Sequence, residues 1–349
     1  MIAMQPVPCP LCHTDDFDPF LTGPDRLFGV PGLFSIVKCR QCGHKYTNPQ
    51  PTTESVMSCY PPDYAPHGAP TAEEAPSTTA TEPTVPVPQP WYLSRPVRAF
   101  PGLRRFFRWL TRTEAEIVPT VARLPDGSTP PRGLEVGCGD GKFLARLAAA
   151  GWEVEAVEPS PAAAARAQAR GFRVQIGMLD QAHLPDDTYD AVFMWMVLEH
   201  VANPRQTLLH LYQALKPGGT LAFSIPNAEC WESRLFGKYW VDYDLPRHLQ
   251  HFSVERIRLL LQKCGFEATS VVHQRSVMNL IGSAGVCLSQ WFPRRSWGPW
   301  LLQSFRGQTP LWLVLPLSVV IKVLVPVCGS GRLTITAGKP LAPPVATPR

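Results

Sequence analysis

The chain has 349 residues, 45% of them hydrophobic, which is enough for one large domain with one or two small appendages. Its formal net charge is only +5 and it has no long basic tract, which argues against nucleic acid as the main partner. Residues 1–10 lack a basic segment followed by an apolar run, so no signal peptide is expected and a cytoplasmic protein is. The ten cysteines then read as metal ligands or buried thiols rather than as a disulfide framework.

The first 64 residues hold Cys9-Pro10-Leu11-Cys12 and Cys39-Arg40-Gln41-Cys42-Gly43. Two C-x-x-C pairs can place four thiolates around a tetrahedral zinc ion. The 26 intervening residues are long for such a loop, but a β-hairpin can fill them. A site closed by Cys9, Cys12, Cys39 and Cys42 is expected to be structural, a small zinc ribbon, with His13 and His44 as neighbours rather than ligands. Residues 65–90 are rich in Pro, Thr, Ala and Glu and almost devoid of large apolar side chains, so a disordered linker is expected there. Residues 91–132 are basic and aromatic, a helical cap segment with a helix over about 103–122.

From 133 to 340 short apolar runs alternate with helical stretches. GLEV, WEVEAVE, FRVQI, YDAVFMW, TLAFSI, FEATSVVHQ and GRLTITAG read as seven strands. KFLARLAAA, PAAAARAQAR, PRQTLLHLYQALK and SVERIRLLLQKC read as helices, closed by glycines or Pro217. This alternation predicts an α/β fold with a Rossmann-like, mainly parallel sheet and a final antiparallel strand. Residues 276–330 interrupt the rhythm with a hydrophobic insertion. Three readings stay open for it: a buried or lid helix pair, a peripheral membrane contact, and a membrane span. Pro316, Lys322 and Pro326 weaken the last, and four tryptophans with Arg294 and Arg295 suit an interface.

The strongest local signal is Leu134-Glu135-Val136-Gly137-Cys138-Gly139-Asp140-Gly141, between a strand and a helix. Glu158 lies twenty-one residues beyond Gly137, at the end of the second strand, where a carboxylate can hold the hydroxyls of a ribose. Lys142 breaks the dinucleotide pattern G-x-G-x-x-G, which counts against a nicotinamide oxidoreductase. An acid at Glu135 suits a ligand bearing an ammonium group.

E-V-G-C-G-D-G resembles the first motif of class I S-adenosylmethionine-dependent methyltransferases. Gly177-Met178-Leu179-Asp180, Tyr189-Asp190 running into L-E-H-V, and Leu215-Lys216-Pro217-Gly218-Gly219 resemble later motifs of that family, in order. Asp244-Leu245-Pro246-Arg247-His248-Leu249 resembles a segment of a bacterial branch acting on small molecules, sugars and lipids. Many members of that branch carry an N-terminal ribbon followed by N-P-x-P, here Asn48-Pro49-Gln50-Pro51. The resemblance covers about 133–338. It implies S-adenosylmethionine bound by Glu135, Gly137, Cys138, Gly139, Gly141, Glu158, Leu179 and Asp180. Arg247 and His248 lie on a loop between strand five and the next helix, where ligands bind in such sheets, and are expected to line the acceptor site; for a hydroxyl acceptor the candidate bases are His248, His251 and His200, in that order. Asp190 is expected to fix a turn. The expected partner is a small-molecule or lipid-linked acceptor, not nucleic acid. The rival readings are a zinc-ribbon binding protein whose methyltransferase-like domain has lost catalysis, and the oxidoreductase.

Overall fold

The computed structural model describes residues 2–60, 130–306 and 309–341. The linker expected over 65–90 and the helix expected over 103–122 lie outside the described residues. The described chain divides into two compact units, one of 130–183 and one of 2–60 with 184–341.

In the first unit, strand β6 (Arg132–Val136), helix α1 (Lys142–Ala149), β7 (Glu153–Glu158), α2 (Pro161–Ala169) and β8 (Arg173–Ile176) alternate as the sequence predicts. The pairs β6–β7 and β7–β8 are parallel. Helix α2 starts where Ser160 accepts a hydrogen bond from the Ala163 N–H at 3.3 Å, with Pro161 in its first turn. Leu144 and Ala167 on the inner helix faces pack with Ala156 and Cys138 into one apolar cluster.

The second unit contains β9 (Tyr189–Trp195), α3 (Pro204–Ala214), β10 (Leu215–Pro226), α4 (Trp231–Phe236), β11 (Gln250–His251), α5 (Val254–Lys263), β12 (Glu267–His273) and β13 (Arg332–Gly338). The seven long strands form one sheet in the order β12-β13-β10-β9-β6-β7-β8. β9 and β10 are parallel, and β13 runs antiparallel to both β10 and β12. This is the Rossmann-like sheet with a final antiparallel strand. Val192, Phe193, Leu221, Phe223 and Ile335 are all at most 1% exposed, so these strands are covered on both faces. Helix α3 ends at Ala214, two residues short of the expected Lys216. The residue before a proline disfavours helical ψ, and Leu215 instead pairs with Tyr189 as the start of β10.

The first sixty residues form β1 (Met4–Gln5), β2 (Phe17–Gly23), β3 (Phe34–Cys39), β4 (Lys45–Thr47) and β5 (Gln50–Pro51). They belong to the same compact unit as 184–341. β11 adds to the ribbon sheet, in the order β11-β4-β3-β2, with Gln250 opposite Tyr46 and His251 opposite Lys45. Phe34 and Ile36 share a buried cluster with Ala228, Trp240, Tyr243 and Leu245. The ribbon therefore shares a core with 184–341, where an appendage tethered in front of the domain was expected.

The insertion folds as three helices, α6 (Met278–Trp291), α7 (Trp297–Arg306) and α8 (Leu311–Cys328). α6 and α8 bury Val277, Ile281, Ile321 and Val325 against one another. α6 and α7 approach so closely that a Cβ at Gly298 would lie 2.3 Å from the Ser289 nitrogen. Among the described residues no helix is long and apolar enough to cross a membrane.

Candidate functional site

Glu135 ends β6 and is 2% exposed, and its Oε2 has no hydrogen-bond partner. Burial pushes its carboxyl well above the usual range, and the charges of Glu158 and Asp140 add to the effect. A buried carboxylate oxygen without a partner is costly unless a ligand supplies a donor or a positive charge. The turn after β6 carries Gly137, Gly139 and Gly141 at φ of +74°, +56° and +77°, a conformation L side chains rarely adopt. A Cβ at Gly141 would also press on Ala167 at 3.0 Å. Cys138, within the turn, is buried.

Glu158 ends β7 beside this turn. Its Oε2 accepts the Gly139 N–H at 2.9 Å and its Oε1 accepts the Ser160 N–H at 2.9 Å. Burial raises this carboxyl while the two amides oppose the shift. After β8, Leu179 is half-buried and Asp180 is exposed, both on a short turn of 3₁₀ helix. Glu135, the glycine turn and Glu158 thus stand at the carboxyl ends of β6 and β7, and Leu179 and Asp180 follow β8 in the same unit. The residue set fits S-adenosylmethionine. The orphaned Glu135 oxygen faces the need of an ammonium group, Glu158 that of a ribose, and the glycine turn leaves room between.

In the other unit, His200 follows the carboxyl end of β9 and His248 lies on the loop before β11. Their rings meet edge to face at 4.6 Å. His248 Nδ1 is 2.7 Å from the Asp242 carbonyl and His200 Nδ1 is 3.1 Å from the Arg247 carbonyl. A carbonyl only accepts, so His248 Nδ1 carries the proton and its Nε2 keeps its lone pair. Burial pushes each of these imidazoles down to about 3, so both are neutral. Beside them Glu199 is 0% exposed, neither of its carboxyl oxygens has a partner, and burial pushes it up to about 8. One carboxylic acid and two neutral imidazoles make a cluster able to relay a single proton.

Two predicted residues take other roles. The Arg247 side chain is fully buried and its donors are committed. It forms a two-point pair with Asp25 at 2.8 Å for each bond, bonds Asp244, and donates to the Cys59 carbonyl at 2.9 Å. Its ring-like guanidinium lies over Phe28 at 4.5 Å. Arg247 is thus a tie between ribbon and domain and does not face an open acceptor site. His251 is 3% exposed within the β4–β11 pairing, with Nε2 3.3 Å from Thr47 Oγ1 and its ring against Tyr243. Asp190 anchors Lys216 at 2.8 Å, as a turn-fixing residue should.

Sequence reasoning passed over Glu199 as a chemical group, although it stands in the quoted L-E-H-V. It also missed Asp25 and Tyr60, whose hydroxyl lies 2.9 Å from His200 Nδ1. No local signal marks either, because their partners are 222 and 140 residues away.

At the ribbon, the Sγ atoms of Cys9, Cys12, Cys39 and Cys42 all lie within 4.8 Å of one another. Cys9–Cys42 and Cys12–Cys39 are each 3.5 Å apart, near the ~3.8 Å expected for thiolates around a tetrahedral zinc. The knuckles are alike. His13 and Gly43 each follow the second cysteine at positive φ, and each returns its N–H to the carbonyl of the first. His44 is buried, with Nε2 2.9 Å from Gln250 Oε1, and is not a ligand.

Residues 109–271 match the profile of a family described as a methyltransferase domain. A Mycolicibacterium smegmatis protein named as a probable S-adenosylmethionine-dependent methyltransferase is 30% identical over 173 residues, covering 49% of this chain and 63% of its own. The ubiquinone biosynthesis O-methyltransferase of Rickettsia prowazekii is 34% identical over 128 residues, covering 34% of this chain and 50% of its own. The chain thus spans between half and two thirds of the length of these two relatives. Among solved structures, an S-adenosylmethionine-dependent methyltransferase of Thermotoga maritima is 20% identical with a TM-score of 0.43, covering 69% of this chain and 97% of that one. The family match over 109–271, the glycine turn, the two strand-end acids and the sheet order together support a methyltransferase domain on a Rossmann-like sheet.

Proposed function

We propose that the protein transfers the methyl group of S-adenosylmethionine to a hydroxyl of a small-molecule acceptor, of the sugar or lipid-linked kind. The observation that carries the cofactor reading is the Glu135 carboxyl, buried with an orphaned oxygen beside the left-handed glycine turn. When bound, the sulfonium supplies an electrophilic methyl carbon. Glu135 holds the ammonium end, Glu158 accepts from the ribose hydroxyls, and Leu179 and Asp180 flank the base. His248 accepts the acceptor's hydroxyl proton at Nε2, while its Nδ1–H stays on the Asp242 carbonyl and fixes the tautomer. His200 and Glu199 stand ready to pass that proton on. A base held neutral by burial is weak, so the proton leaves as the oxygen acquires its methyl group and not before. A hydroxyl acceptor is favoured by this proton-accepting cluster, and the Rickettsia relative is itself named an O-methyltransferase.

The ribbon is read as a structural zinc site of four cysteines. Calorimetric titration with S-adenosylhomocysteine, followed by transfer of labelled methyl to a panel of phenolic, sugar and lipid-linked alcohols, tests the reading. Binding with turnover that His248→Ala abolishes while binding persists supports it. Binding without turnover on any acceptor favours the catalytically inactive alternative, and absence of binding overturns the cofactor cradle.

A further inference from the structure

Helices α6, α7 and α8 bury one set of apolar residues and leave another outside. Trp291 is 61% exposed, Trp297 53% and Trp312 67%. Each meets a neighbouring ring, in three separate pairs. Tyr239 meets Trp291 edge-on at 5.9 Å, Phe292 meets Trp297 at 6.1 Å, and Trp300 stacks on Trp312 at 5.8 Å. Trp297 and Trp300 stand three apart on α7 and so share its face.

Cations lie against two of these pairs. Arg295 sits over Trp297 at 5.4 Å, Arg26 and Lys238 both sit over Tyr239 at 5.5 and 5.2 Å, and Arg294 is exposed. Arg26 buries its Nε without a hydrogen-bond partner. Residues 276–331 contain four basic residues and no Asp or Glu. Indole rings settle at the headgroup level of a bilayer, and each cation near an anionic leaflet strengthens attachment by about fivefold. A two-fold contact with a second copy would set Arg294 and Arg295 against the same cationic face with no acid to pair them.

We propose that this face docks on an anionic phospholipid bilayer, lying in the headgroup layer without crossing it. The inference is independent of methyl transfer and depends only on the exposed rings and their charge. Full-length zinc-loaded protein is mixed with vesicles of phosphatidylcholine, with and without phosphatidylglycerol, and the bound fraction is read by flotation. Binding is expected to the anionic vesicles, weakening with salt. Arg294→Glu with Arg295→Glu should lower the partition coefficient by at least about tenfold, and Trp297→Ala should lower it several-fold. Because these side chains are exposed, unchanged S-adenosylhomocysteine affinity and unchanged melting confirm that each variant is folded. No flotation, equal flotation with neutral vesicles, or concentration-dependent self-association that Trp297→Ala abolishes would each overturn the proposal.

Discussion

Arg247 and Asp25 form a two-point ion pair with both side chains fully buried, although 222 residues separate them. Burial works against each charge. The nearby Asp244 and Asp25 outweigh it for Arg247, and Arg247 outweighs it for Asp25, so both stay ionised. Removing one member of such a pair leaves the other charge buried and unpaired. Asp25→Ala should destabilise the unit by about 3–5 kcal/mol in urea unfolding. A loss within about 0.5 kcal/mol, the size of an ordinary surface change, would mean that the pair contributes nothing to the joint between ribbon and domain.

Glu158 holds the glycine turn through Gly139 and Ser160 and is the acid proposed to hold the ribose. Glu158→Ala should weaken S-adenosylhomocysteine about 10- to 100-fold by calorimetry, the range for losing hydrogen bonds to a charged group. Glu135→Gln should weaken it too, since an amide cannot match an ammonium, yet it should remove the penalty of the buried acid and raise stability. A Glu135→Gln protein that binds as tightly as wild type would remove Glu135 from the cradle.

The ribbon shares a core with residues 184–341, so its metal should stabilise the whole unit. Elemental analysis should find one zinc per chain. Cys9→Ser should lose that zinc and lower the main calorimetric transition. Were the ribbon an independent appendage, zinc removal would abolish a small separate transition and leave the main one in place.

Stability should depend on pH from both sides. Glu199 has its folded pKa raised from 4.5 to about 8, so its contribution is complete below 4.5 and is lost as pH rises through about 8. His200 and His248 have theirs lowered from 6.5 to about 3, so their contribution is complete above 6.5 and is lost as pH falls through about 3. Together they place the stability maximum near the usual imidazole range. Glu199→Gln should flatten the alkaline limb, by an amount on the order of 4 kcal/mol across the window. An alkaline limb unchanged in that variant would show that Glu199 is not the group being ionised.

The strand–helix alternation, the glycine turn, the acid closing β7 and the two C-x-x-C knuckles were all readable in the chain, because each is written within a few dozen residues. Apolar periodicity fixes which runs lie in the sheet, proline and glycine fix where they stop, and left-handed turns demand glycine. The boundary between α3 and β10 was misplaced by two residues because pairing of Leu215 with Tyr189, not helix propensity, decides it. The acceptor side was legible only as residue types. Arg247, His248 and His251 sit on one short segment, yet the fold sends them to different tasks. Arg247 meets Asp25, His251 enters a strand pair with the ribbon, and His248 turns Nδ1 to the Asp242 carbonyl with its ring against His200. The partners of Arg247 and His251, Asp25 and Thr47, arrive from more than two hundred residues upstream. No periodicity or motif records a contact of that range, and only the packed chain decides which polar groups are sealed in pairs and which are left for chemistry.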